Sequence, residues 1–130
     1  MSLICQIGSP LEEHCRSFAH SRFDFKSISM DRVTNLRSFV TLYRYVSKAS
    51  PDIIHTHSSV DSWLAGIVGK ISGIPVIRTR HVSLPVKDFF PNHLLYSYIP
   101  ERILTSGDVI ADIVKHVRCV NPNKVVSISA

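Results

Sequence analysis

His55 and His57 stand two residues apart, and a third histidine, His81, ends the run Arg78-Thr79-Arg80-His81. On a strand, His55 and His57 share one face. With His81 from a neighbouring strand end they form a candidate zinc set. The plainer alternative is a buried His55 bonded to backbone and a His57 at the rim. His81 is either a neutral histidine satisfied by backbone or a donor of hydrogen bonds to an anionic or hydroxylated substrate. Arg78 and Arg80 alternate with Ile77 and Thr79. A buried arginine must be paired or hydrogen-bonded, with Asp52 and Asp61 as candidate partners of Arg78 in an ion pair. Arg80 is nearer the rim and suits a phosphate or an acidic sugar. Ser58, Ser59 and Asp61 open a helix. The serines either cap it or help its N-terminus hold an anion; Asp61 would repel an anion and suits acceptor hydroxyls instead. Ser83 follows His81, and Ser106-Gly107 opens a further helix in the same sense.

These residues need a frame, and Pro51–Ser83 supplies it. Asp52–His57 is a β-branched run without Gly or Pro, which reads as a strand. Val60, Trp63, Leu64, Ile67, Val68 and Ile71 recur at helical spacing. Gly73 is placed as a C′ residue with φ > 0 and Pro75 stops the helix. Val76–His81 is a second strand. Strand, crossover helix and strand form a right-handed unit with parallel strands, so the polar residues collect at the edge where open sheets bind ligands. Ser62, Gly66, Gly69 and Gly73 make a second stripe of small residues. Glycine inside a helix costs about 1 kcal/mol against alanine, which predicts close backbone approach to a sheet or helix. Gly66–Ser72 is no phosphate loop, since it falls mid-helix with the wrong glycine spacing. Trp63 reads as core, with a sugar-stacking platform as its alternative.

The remaining chain repeats the alternation. Strands are expected at Leu3–Ile7, Phe25–Met30, Arg102–Thr105 and Val125–Ser129. Helices are expected from a Ser9–Glu12 capping box to about Ser21, from a Thr34 cap to about Ala49, over Asn92–Tyr98, and from a Ser106 cap to about Val117. The second of these should bury Leu36, Phe39, Val40, Tyr43 and Val46 and leave Arg37, Arg44 and Lys48 solvated. The result is one Rossmann-like three-layer α/β/α domain over residues 1–130, with a parallel sheet of about six strands. The hydrophobic content of 45% excludes disorder. No apolar run reaches membrane-helix length, and Met1–Gly8 lacks the basic start and long apolar core of a signal peptide. Cys5, Cys15 and Cys119 are too scattered for a metal motif or a disulfide framework and read as reduced, buried thiols. The net charge of +5 favours anionic partners. The charge is scattered and no nucleic-acid-binding motif is present.

PDIIHTHSS, DSWLAGIVGKISGIPVIRTRHVS and ERILTSGDVI, in that order, resemble the amino-terminal half of family-4 (group 1) glycosyltransferases of the GT-B fold. The resemblance implies transfer of a sugar from a nucleotide-sugar donor to a hydroxyl of a glycan or lipid acceptor, in cell-surface polysaccharide or lipopolysaccharide synthesis. It implies no metal and no cofactor besides the donor substrate. His81 matches the histidine that faces the donor sugar and phosphate, and Ser58–Asp61 would line the cleft with His57, Ser59, Arg80, Ser83, Ser106 and Gly107. A preceding strand with a glycine-rich loop and a carboxy-terminal donor-binding domain are expected outside these residues, so this stretch alone should not transfer sugar. The setting implied is cytoplasmic, peripheral to an anionic membrane face through Arg37, Arg44, Lys48 and Lys87. Family members have strand order 3-2-1-4-5-6-7. Without the first strand, a gap would leave unpaired groups at about 1–3 kcal/mol each if buried. Closure of Leu3–Ile7 onto Asp52–His57 avoids this and predicts the flavodoxin-like order 2-1-3-4-5-6. The alternative function is a flavodoxin-like small-ligand-binding or signalling module without enzymatic activity. Against it, Gln6, Gly8 and Ser9 stand where a receiver needs acidic residues, and GSPLEE is a poor flavin-phosphate loop.

Overall fold

The computed structural model describes residues 1–17, 24–30, 32 and 34–128. β1 (Ser2–Gln6), α1 (Pro10–Ser17) and β2 (Asp24–Ile28) come first, then α2 (Leu36–Ala49), β3 (Ile54–Thr56), α3 (Ser59–Ser72) and β4 (Val76–Arg80). A short α4 (Phe90–His93) runs into a π turn (Leu94–Tyr98). β5 (Arg102–Thr105), α5 (Asp108–Lys115), a 3-10 turn (Pro122–Lys124) and β6 (Val125–Ser127) follow. The expected helix end near Ser21 and strand end at Ser129 lie outside the described residues. Asn35, one residue beyond the expected Thr34, caps α2 by accepting the Ser38 N–H at 3.2 Å. α5 starts from Gly107 without a side-chain cap, so Ser106 does not cap it.

All strand pairs are parallel, but the six strands divide into two sheets, β1–β2 and β3–β4–β5–β6. This corrects the expected order 2-1-3-4-5-6. Among the described residues no backbone hydrogen bond joins β1 to β3. The penalty that argued for closure applies only to buried groups. Here β3 is exposed at His55 and half-buried at Ile54, and β1 is buried only at Cys5, so water can satisfy much of both edges. The helix layer sets the spacing instead. Ile4 and Ile28 of the first sheet and Ile54 of the second pack on one cluster, made by Leu42 and Val46 of α2 and Leu64 and Val68 of α3.

α3 sits directly on β4. A Cβ at Gly69 would lie 2.4 Å from Val76 Cγ2, and one at Gly66 would lie 2.5 Å from Ile99 Cγ2. Gly66 and Gly69 of the small-residue stripe are therefore a contact face, as expected, while a Cβ at Gly73 would meet nothing within 4 Å. Gly73 ends the helix at φ 68°, and its N–H bonds the carbonyls of Gly69 and Lys70. Trp63 and Ile67 pack on a second cluster of Val76, Leu95, Ile99, Ile103, Ala111 and Val114, which places Trp63 against the core. Ile71, by contrast, is exposed. The buried stripe of α2 is rotated from the expected one. Ser38, Leu42 and Val46 are buried, while Leu36, Val40 and Tyr43 are exposed, because α2 meets α3 and β2 along Leu42 and Val46. Arg37, Arg44 and Lys48 are exposed as expected. Cys5 and Cys15 are buried, but Cys119 is exposed in the turn after α5, at φ 67°.

α1 is tied to the first sheet through one carboxylate, on the face opposite Ile4 and Ile28. Glu12 accepts from the Ser27 hydroxyl and Arg16, each at 2.7 Å, and from the Gly8 N–H at 2.6 Å. Ser9 accepts the Glu12 N–H at 3.2 Å, the capping half of the expected box. Led by the Ser27 bond, these donors hold the Glu12 carboxyl at about 2, below its ordinary 4.5. A lowered carboxylate pKa contributes stability that is complete above the unfolded value and lost as pH falls through the folded one. Glu12→Gln should accordingly flatten the loss of stability between pH 4.5 and about 2, read as the urea midpoint against pH. An acid profile identical to that of the parent would show that these bonds contribute nothing.

Candidate functional site

The polar residues meet at the carboxyl edge of β3 and β4. Ser58 is the N-cap of α3, and its hydroxyl accepts the Asp61 N–H at 3.4 Å. The Asp61 carboxylate reaches back to the Ser58 N–H at 2.7 Å and the His57 N–H at 3.1 Å. This reciprocal cap fixes the backbone on which His57 stands. It also fills the helix terminus with a carboxylate, so the start of α3 does not present a free anion site. Below it, buried Thr56 and Ser62 bond at 2.9 Å.

His57 Nδ1 lies 3.1 Å from His81 Nε2. The ring planes differ by 8° with centroids 5.5 Å apart, so the imidazoles meet edge to edge in a common plane. One ring must donate and the other accept. A neutral pair therefore directs one N–H donor and one bare nitrogen outward, and a singly protonated pair directs two donors outward. The His55 ring lies tilted by 36° to that of His57, with centroids 4.3 Å apart, and its Nε2 lies 2.6 Å from Thr79 Oγ1. Partial desolvation, then the neighbouring His57 and His81, lowers the His55 pKa below its ordinary value, although the residue is exposed overall. The bond to Thr79 is to a side chain, where a backbone partner was expected.

Arg78 and Arg80 occupy the opposite face of β4. Among the described residues no carboxylate lies within 4.0 Å of either guanidinium, so the expected pairing of Arg78 with Asp52 or Asp61 does not occur. Asp61 is held by the backbone instead. The shared partner is Tyr96 of the π turn. Arg78 Nη2 donates to its hydroxyl at 3.1 Å, and Arg80 Nη1 donates to the same oxygen. The Arg78 guanidinium lies 4.3 Å over the Tyr96 ring. Arg80 Nη2 also donates to the Leu84 carbonyl. Burial lowers the Arg78 pKa below its ordinary value, and Arg80 adds to the effect. The Ser106 N–H donates to the Arg80 carbonyl at 3.4 Å, and the Thr105 hydroxyl donates to the Gly107 carbonyl at 3.2 Å, which holds that loop beside β4. Ser59 and Ser83 are exposed, and their side chains make no hydrogen bond among the described residues. Sequence reasoning missed Thr79 and Tyr96. The available signal for Tyr96 was the demand of two same-face arginines for an acceptor.

Two open grooves lie away from the histidines. One, of about 760 Å³, runs between Pro85–Asp88 and α5; the other, of about 530 Å³, is lined by Lys26, Arg44, Tyr45 and Lys48.

A parallel α/β domain with its polar residues gathered at the carboxyl edge is the architecture of GT-B glycosyltransferase amino-terminal domains. The chain has a TM-score of 0.70 with a glycosyltransferase of Rickettsia africae, at 14% identity, covering 98% of this chain and 34% of that one. With HepE of Anabaena, in complex with UDP and glucose, the TM-score is 0.62 at 10% identity, covering 99% and 44%. The family profile for Glycosyltransferase Family 4 matches residues 3–129, and the chain belongs to that family. It is 31% identical over 85 residues to the UDP-Gal:alpha-D-GlcNAc-diphosphoundecaprenol alpha-1,3-galactosyltransferase of Escherichia coli, 62% of this chain and 21% of that protein. The chain thus spans about a fifth of that relative and a third to under half of these solved structures.

The histidine geometry has a direct readout. Because the bond joins His57 Nδ1 to His81 Nε2, side-chain ¹⁵N spectra of the neutral pair should show the same tautomer on both rings, either both Nδ1–H or both Nε2–H. His57→Gln should free His81 to populate both tautomers. Opposite tautomers on the two neutral rings of the parent chain would remove the bond.

Proposed function

We propose that this chain is the acceptor-side domain of a glycosyltransferase that moves a sugar from a nucleotide-sugar donor to a hydroxyl of a glycan or lipid acceptor. The observation that carries the reading is the His57–His81 pair at the sheet edge, 3.1 Å apart and exposed, in a chain of this family. His81 orients and polarises the donor sugar and phosphate; His57 sets its tautomer. The loops bearing Ser58, Ser59, Asp61, Arg80, Ser83, Ser106 and Gly107 line the cleft, and a second, facing domain holds the nucleotide. Catalysis is positioning plus stabilisation of charge on the departing nucleoside diphosphate. The galactosyltransferase and the UDP-bound HepE support a UDP-sugar donor, and the galactosyltransferase a lipid-linked acceptor; the setting we propose is cell-surface polysaccharide or lipopolysaccharide synthesis.

In the transferase carrying this domain, His81→Ala should lower kcat by about 10²-fold, the scale of losing one oriented electrostatic group, with the fold unchanged by circular dichroism. A near-normal kcat would sink the catalytic assignment. An unfolded variant would make His81 structural.

The work site we propose is the cytoplasmic face of an anionic membrane. No helix among the described residues is long and apolar enough to cross a membrane. Arg37, Arg44, Lys48 and Lys87 are exposed, and those that share one face would meet headgroups at about 1 kcal/mol each. Binding to phosphatidylserine vesicles should fall steeply with salt; absence of binding at low salt rejects this placement.

A further inference from the structure

Arg78 is 4% exposed, and its Nε and Nη1 have no hydrogen-bond partner; the buried Nε of Arg80 has none either. Two guanidiniums thus share one phenol oxygen, two residues apart on the same face of β4, with no carboxylate within 4.0 Å. Asp61 is the acidic group whose field reaches Arg78, but its oxygens already accept backbone N–H groups. Tyrosine supplies an acceptor and a π face, not a formal negative charge. Buried cations in this arrangement are strongly disfavoured unless a counter-ion joins them.

We propose that Arg80, backed by Arg78 through Tyr96, is a binding site for a phosphate-class oxyanion. The Nε and Nη2 edge of a guanidinium is a fork that takes an oxyanion with two parallel hydrogen bonds. On Arg80 that fork is half used, since Nη2 bonds the Leu84 carbonyl and Nε bonds nothing. An oxyanion that displaces this one carbonyl gains both donors. The approach is from the half-buried side of Arg80 and the exposed residues His81–Pro85, which must shift to uncover the buried Nε. Two cations call for a dianion, which favours a phosphate ester or diphosphate over a single carboxylate. Arg78 is the positioning charge: it holds Tyr96 and adds field without reaching solvent. The owner of the phosphate, donor nucleotide or acceptor lipid, rests on the transferase reading; the oxyanion site does not.

The test titrates the chain with inorganic diphosphate at constant ionic strength and reads binding by calorimetry. Saturable binding is expected, weakened about tenfold or more in Arg80→Lys, which keeps the charge and loses the fork. Without diphosphate, Arg78→Met should unfold at an equal or higher temperature than the parent and should bind diphosphate more weakly. A lower unfolding temperature with unchanged diphosphate binding would make Arg78 structural and overturn the proposal. So would diphosphate binding that Arg80→Lys leaves unaltered. Competition by UDP assigns the site to a nucleotide, and competition by phosphatidylcholine vesicles doped with phosphatidic acid assigns it to a lipid phosphate. Competition by neither means an adventitious ion only and overturns the assignment. Diphosphate binding beside a kcat indifferent to His81→Ala leaves this site standing and the catalytic reading fallen. Loss of kcat without diphosphate binding does the reverse.

Discussion

The structure depends on how closely α3 can lie on β4. Gly69 and Gly66 leave Val76 and Ile99 in the space that side chains would fill. With the helix backbone held there, Leu64 and Val68 reach the cluster below α2, while Trp63 and Ile67 reach the one beside α5. The backbone pairing of β3 with β4 in turn sets the end of β3 beside the end of β4, and so brings His57 to His81. An added methyl would push α3 outward and disturb core packing, of which even one methylene is felt. The conformational penalty of two mid-helix glycines is offset by the buried area this approach allows.

The other organising tension is electrostatic. The domain carries excess positive charge and places two guanidiniums inward, on the face that also carries Val76 of the core. Tyr96 answers them with its hydroxyl and ring because the π turn after α4 projects it over β4. On the other face of the same strand, Thr79 and His81 carry the imidazole cluster. One five-residue strand therefore presents a hydrogen-bonded imidazole cluster on one side and a pair of guanidiniums on the other, with Leu84 and the loop at Ser106 crossing its end.

The division of the sheet follows from which surfaces are dry. Backbone pairing is compulsory where water is excluded and optional where it is not. β4 and β5, whose buried positions reach Val76, Arg78 and Ile103, are paired on both edges. β1 and β3 face each other across the helix pair with wetter edges, and side-chain packing onto α2 and α3 holds them at their separation.

What the sequence by itself determined is local. β-branched runs, helical periodicity, Gly73 with Pro75 and the Ser58–Asp61 spacing specify strand, cap, helix and stop within a few residues of one another. The alternation then dictates parallel strands and a polar carboxyl edge. Tertiary structure decided everything that joins distant positions. The His57–His81 bond spans 24 residues and the Arg78–Tyr96 bond spans 18, and no propensity encodes either. Leu36 and Leu42 are equally apolar, yet only the second meets a neighbour, since the azimuth of α2 is set by α3 and β2. The same holds for Arg78: the sequence shows that a buried arginine needs a partner, and only the packing of the π turn over β4 makes that partner a tyrosine hydroxyl instead of an aspartate.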